Sequence, residues 1–349
     1  MCKYLMTLTP REPYFFGNEK SFKYPSTSVG DESNRYYIKS ELVPAQTTLI
    51  GTLRYVLLPV KKEYGRYSDT DLKANAEAVG EKSFVYGEKN EFGKILGISP
   101  IFILNGNEKL VVTPFDHIIG KETYTPFSEY SDDFHGRFYP TEYNAKKGIS
   151  HSYVSLSDKK IYEHSDIFLT DVRIGINRGE DSKGLFKKAY VAMKEGFAFG
   201  AFVTLDDCIV PEDSIVYMGQ GKSLFTVSFE KVADNAEEEF TAKIAALLRD
   251  DVIYCLSDVF VHCGIYSQTK FAITDTKDYR AYTTAIVEVK NDPNVKSKCK
   301  ITKASKLYKL VRAGSILIPK NENTLKTAIS NNNVEIIGYN KVVTNSEVY

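Results

Sequence analysis

From Asp171 to Leu205 the sequence reads strand, glycine-containing turn, strand, and strand again. Val172-Arg173-Ile174-Gly175-Ile176 leads through Asn177 to Gly184 into Leu185 to Met193. After Glu195-Gly196, the run Phe197 to Leu205 is strongly apolar with small residues between its aromatics. Strands joined by such turns suit mixed antiparallel pairing. An α+β chain fits this better than a doubly wound parallel sheet. The composition agrees: 43% apolar residues, 24 Tyr and 20 Phe among 349 positions suit an ordered, strand-rich core. A chain this long exceeds one compact domain, and the boundary is expected near Gly196, giving domains 1–195 and 196–349.

Upstream, Lys3 to Thr9 reads as a short strand stopped by Pro10 and Pro13, and Glu19 to Tyr37 as a polar connection. Leu49, Leu53, Val56 and Leu57 recur at helical spacing behind Pro44 and predict an amphipathic helix across Thr47 to Leu58. Asn105-Gly106-Asn107 separates the runs Ile95 to Leu104 and Lys109 to Thr113 and predicts a hairpin. Residues 114–170, rich in Tyr, Asp, His and Gly with little periodicity, read as a long surface insertion in the first domain. Downstream come a strand Ser214 to Met218, a turn at Gly219 and Gly221, a strand Leu224 to Val232 and a helix from Ala236 to Leu248. Val252 to His262, Thr284 to Lys290, Leu307 to Ile318 and Asn333 to Val343 read as further strands. Strand, helix and strands in each half predict two ferredoxin-like (RRM-like) α+β units.

The 45 basic and 45 acidic residues cancel, which argues against a protein that coats nucleic acid by bulk charge. The charge is nevertheless segregated. From Lys290 to Arg312 eight basic residues stand against one acid, whereas Glu230 to Asp251 holds seven acids and three bases. The five cysteines form no Cys-x-x-Cys pair, and the five histidines no His-x-x-x-His, so no local metal site is expected. Walker, nucleophile-elbow and full Gly-x-Gly-x-x-Gly signatures do not occur, and neither catalytic residues nor a cofactor are expected. No run of about 18 apolar residues occurs, so a cytoplasmic chain without membrane contact is the expectation. Met218-Gly219-Gln220-Gly221-Lys222-Ser223 is the nearest approach to a phosphate loop: its glycines let backbone N–H groups come close, and Lys222 adds a charge. Arg11, Arg54, Arg173, Arg178 and Lys183, set among Tyr and Phe, suit single-stranded RNA, where guanidinium binds phosphate and aromatic faces stack on splayed bases.

Four segments together resemble the RAMP superfamily of CRISPR subunits. They are Leu8-Thr9-Pro10-Arg11-Glu12-Pro13-Tyr14-Phe15-Phe16-Gly17; Val43-Pro44-Ala45-Gln46-Thr47-Thr48-Leu49-Ile50-Gly51-Thr52-Leu53-Arg54; Arg173-Ile174-Gly175-Ile176-Asn177-Arg178 followed by Gly184-Leu185-Phe186; and Met218-Gly219-Gln220-Gly221-Lys222, with Ala313-Gly314-Ser315-Ile316 later. The resemblance is to the type III-B (Cmr) subunit at the 5′ end of the guide. It implies two ferredoxin-like domains, no nuclease activity, binding of the repeat-derived 5′ tag of the crRNA, and a seat between the large polymerase/cyclase-like subunit and the RAMP backbone subunit. Arg11, Arg54, Arg173, Arg178, Lys183, Gly219, Gly221 and Lys222 are the expected RNA-binding positions. Two alternatives stay open. One is a metal-independent RAMP endoribonuclease using His117, His135, His151 or His164 as general acid/base. The other is the equivalent tag-holding subunit of a Csm-type complex.

Overall fold

The computed structural model describes residues 1–17, 37–62, 67–127, 130–132, 138–140, 146, 149, 151–177, 184–206, 210–261, 264–292 and 295–345. The first strand, β1 (Cys2–Pro10), alternates: Tyr4, Met6 and Leu8 are buried on one face, while Leu5 and the buried Lys3 serve the other. Onto the first face packs α1 (Gln46–Val56), whose Leu49, Leu53, Val56 and the following Leu57 are buried as their spacing predicts. Next comes α2 (Asp69–Val79), opened by a Ser68–Asp71 capping box and closed at Gly80 with φ 77°. The long hairpin β2 (Phe168–Asn177) and β3 (Gly184–Met193) follows. Then come β4 (Phe197–Leu205), the hairpin β5 (Ser214–Met218) and β6 (Ser223–Lys231), and α3 (Ala236–Ala245).

Among the described residues the main sheet has nine strands, in the order β5, β6, β1, β4, Phe102–Asn105, Glu108–Val112, Ser152–Ser155 and Ile161–Glu163, with Ile95–Ile98 also pairing β4. Every one of these pairs is antiparallel. Sequence and structure agree on the mixed α+β class. β4 is covered on both sides, which is why it reads as an unbroken apolar run: Phe199, Ala201 and Val203 join the core under α1, and Ala198 and Phe202 the core under α3. Gly196, with φ 88°, turns β3 into β4, so the strand after the expected boundary lies beside the strand that opens the chain. On the α3 face Lys3 meets Glu237 at 3.4 Å and Glu238 at 3.2 Å.

Five expectations change. Residues 114–170 are not all surface: Ser152–Ser155 and Ile161–Glu163 extend the main sheet, and Val154, Phe115 and Phe127 are buried. Three expected strands are each two short ones, and the first, Ile95 to Leu104, divides into Ile95–Ile98 and Phe102–Asn105. Val252 to His262 divides into Ile253–Cys255 and Val259–Phe260, and Leu307 to Ile318 into Tyr308–Val311 and Ile316–Pro319. The last break falls at Gly314, where a Cβ would lie 2.5 Å from Phe115 and 2.7 Å from Val112. Asn333 to Val343 is not a strand. Asn321 and Asn331 cap the helices Glu322–Ile329 and Asn332–Glu335 with their side-chain oxygens, and only Val342–Thr344 is extended. Among the described residues no helix is long and apolar enough to cross a membrane.

One buried acid in the 114–127 segment has a measurable consequence. Asp116 accepts the Tyr124 hydroxyl at 2.8 Å through Oδ1, while its buried Oδ2 has no hydrogen-bond partner, and burial pushes its carboxyl up to about 6. A carboxyl raised above its unfolded value near 3.9 contributes stability that is full below that value and is lost as pH rises through the folded one. Between pH 4 and 7 the native chain should therefore lose about 2–3 kcal/mol relative to Asp116→Asn, as read by urea unfolding. Parallel pH profiles for the two proteins would contradict this.

Candidate nucleic-acid interface

The β5–β6 turn is tied to the chain's opening segment. The Gln220 N–H donates to the Phe15 carbonyl at 2.8 Å, the Ser223 hydroxyl to the Pro13 carbonyl at 3.0 Å, and the Leu224 N–H to Glu12 Oε1 at 2.8 Å. Gly219, with φ 73°, permits this approach, because a Cβ there would lie 2.5 Å from the Phe15 oxygen. Gly221 and Lys222 continue the turn at φ 110° and 56°. Beside it the Phe15 ring meets Tyr190 edge-on at 5.5 Å. Lys188 Nζ stands 4.9 Å over Phe15, and the Arg173 guanidinium 4.5 Å over Tyr190. The β2–β3 register places Arg173 opposite Lys188, so both cations lie on one hairpin face. The result is a basic surface next to the glycine turn, with Tyr190 half-buried in it and Phe15 fully buried beneath Lys188. Arg173 also pairs with Asp171 at 2.8 Å, but both side chains are about half exposed, and such a pair contributes at most about 1 kcal/mol, which a phosphate readily replaces.

This surface borders a cleft of about 460 Å³. Phe16 and Gly17, the α1 positions Thr48, Gly51 and Arg54, and the Gly219–Gln220 turn form much of its wall. Lys277 to Ala281, at the end of strand Thr276–Tyr279, complete it. Arg54 lines the cleft with two donors already held: it bonds the Val79 carbonyl at 2.8 Å and the Gly80 carbonyl at 2.7 Å, closing α2, and stacks on Phe92. Burial lowers its pKa. Arg11 sits apart from the cleft walls, exposed, with Nε donating to Thr226 Oγ1 at 2.6 Å. Arg178 and Lys183 lie outside the described residues. The expected positions thus divide: Arg173, Gly219, Gly221 and Lys222 meet at the turn and hairpin, Arg54 lines the cleft, and Arg11, just past the end of β1, is held against Thr226 of β6.

Sequence reasoning missed Lys188, Tyr190, Lys277 and Arg280. Lys188 was accessible from the hairpin register opposite Arg173, whereas Lys277 and Arg280 reach the cleft only because their strand folds back beside α1. In the basic stretch, Lys309 pairs with Asp278 at 2.9 Å and Arg312 with Asp275 at 3.1 Å. Among the histidines, His117 is buried and accepts the Thr125 N–H on Nδ1 at 3.1 Å, and burial lowers its pKa. His151 and His164 stand together, ring centroids 6.4 Å apart. Burial, then the neighbouring His151, holds His164 down to about 4. His135 and His262 lie outside the described residues. Among the described residues no three His, Cys, Asp or Glu side chains gather as a metal site.

No family model matches the chain, and no curated protein matches it. Among solved structures, a chain of a cryo-EM structure of the type III-B Cmr-beta bound to cognate target RNA superposes with a TM-score of 0.52 at 15% identity. The match covers 99% of this chain and 97% of that one. The two chains share a fold. A second Cmr-beta structure, bound to cognate target RNA and AMPPnP, gives a TM-score of 0.49 at 15% identity over 98% and 97%. A chain of the Csm3–Csm4 subcomplex of the type III-A CRISPR-Cas interference complex gives 0.37 at 10% over 92% and 96%.

Proposed function

We propose that this chain is a non-catalytic subunit of a type III-B CRISPR RNA-guided effector complex, built of two ferredoxin-like halves. It binds the repeat-derived 5′ tag of the crRNA and bridges the large polymerase/cyclase-like subunit to the RAMP backbone subunit in antiviral defence in the cytoplasm. The observation that carries this reading is the surface of Arg173, Lys188 and Tyr190, backed by the buried Phe15, against the Gly219–Lys222 turn, opening on a cleft with Lys277 and Arg280. Such a surface suits one strand in a splayed path: cations meet phosphates, the half-buried Tyr190 puts one aromatic ring beside them, and the glycine turn lets backbone come close. The fold shared with a Cmr-beta chain and the four family-like segments support the same reading.

The test is charge reversal at Arg173 and Lys188 in the assembled complex. Tag RNA should bind at least tenfold more weakly at physiological salt, and the slope of log affinity against log salt should flatten by about 0.7 per lost phosphate contact. Unchanged affinity and slope would sink the assignment. The adjacency of His151 and His164 favours a second reading, metal-independent endoribonuclease. Cleavage of repeat RNA in chelator by the purified chain, abolished by His151→Ala or His164→Ala, would favour the enzyme. A Csm-type complex is the remaining variant of the first reading.

A further inference from the structure

Beside the cleft lies a smaller cavity of about 160 Å³. The two share Glu41, Val43, Ala45 and Lys277 in their walls, so a strand lying in the larger one passes next to the smaller. Val43, Ile101, Val112 and Leu256 give the small cavity apolar walls, and His151, His164 and Ser257 bring polar groups to it. Its volume is below the roughly 300–1,000 Å³ of sites that hold a drug-sized ligand, so it suits one ring system rather than a length of chain. Each wall cation has a carboxylate beside it, Lys277 paired with Asp258 and Arg312 Nε 3.1 Å from Asp275 though without hydrogen-bond geometry, so the cavity carries no net positive charge from them to favour an anion. Aromatic rings surround the imidazoles, with Phe115 5.5 Å from His151 and Tyr153 5.8 Å from His164. A neutral imidazole presents one donor and one acceptor, and the depressed pKa of His164 keeps it neutral at pH 7. A planar, neutral ligand with apolar faces and a donor–acceptor edge matches these walls.

We propose that this cavity receives one nucleobase splayed out of a single RNA strand held in the cleft, with His151 and His164 reading its edge. This rests on the RNA-holding function above and assigns that function a base-reading subsite. The first test titrates the full chain, labelled at histidine, with adenosine, guanosine, cytidine or uridine and with ribose 5-phosphate, following the imidazole signals by NMR. At least one nucleoside should shift both histidines, and ribose 5-phosphate should shift neither. No shift with any nucleoside overturns the subsite even if RNA binds, whereas a shift in a chain that binds no RNA overturns the RNA-holding function and leaves the pocket standing. The second test walks an abasic residue along a single-stranded RNA. One position should lose tenfold or more in affinity, and that loss should vanish in His151→Ala and in the gentler His164→Gln. A flat profile, or a sensitive position indifferent to both substitutions, overturns the proposal.

Discussion

Replacing Gly338 by alanine is expected to destabilise the fold by about 4 kcal/mol or more, in the range that single substitutions rarely reach. Gly338 holds φ 86°, and a Cβ there would lie 2.0 Å from Gln46 Nε2 and 2.7 Å from the Ser99 carbonyl. Gln46 is buried at the start of α1. Its amide donates to Ser99 O at 3.0 Å and Ile337 O at 2.7 Å and accepts the Ile101 N–H at 3.2 Å, joining the helix, the main sheet and the C-terminal segment. To admit a methyl group the amide must leave, stranding buried partners at about 1–3 kcal/mol each, and the backbone strain adds about 1 kcal/mol. Urea unfolding measures the loss. Because the clash involves the amide, Gln46→Ala and Gly338→Ala should be non-additive by at least about 1 kcal/mol. A loss under 1 kcal/mol, or strict additivity, would refute the role given to this joint.

The second large effect belongs to the glycine turn. Gly219→Ala places its methyl 2.5 Å from the Phe15 carbonyl and should push the turn off the Tyr14–Phe16 segment, weakening RNA binding at least tenfold. At Gly221 a Cβ meets nothing closer than the Tyr190 hydroxyl at 3.7 Å, so Gly221→Ala carries only the strain of φ 110°, about 1 kcal/mol, and should retain most binding. Anisotropy titrations with tag RNA compare the two. Equal effects would mean that the close approach to Phe15 does not position the turn.

The elements legible in the sequence are those whose own residues determine their burial. β4 is apolar on both faces because both are covered, and α1 shows its buried stripe at Leu49, Leu53 and Val56. By contrast, α2 buries only Ala78 and Val79, so its sequence carries almost no periodic signal and its start depends on a Ser68 cap. Ser152–Ser155 is short, and only its place beside Glu108–Val112 makes it part of the sheet. At the interface, glycines and arginines could be named from type and order. Arg54, however, resembles a ligand-binding arginine in sequence while its guanidinium holds the end of α2. Lys277 and Arg280 come from a distant strand that no local pattern links to the cleft.

The central position of β1 has a consequence for synthesis. Its two neighbours among the described residues begin at Phe197 and Ser223, so β1 stays unpaired by them until the long stretch between Pro10 and Phe197 has been made. At about 5–20 residues per second it waits on the order of ten seconds or longer, an apolar strand with both edges open, the kind of segment that pairs wrongly or recruits chaperones. Truncated products ending before Phe197 should therefore aggregate rather than fold as a free amino-terminal half, because β1 gains its first neighbour only when β4 emerges.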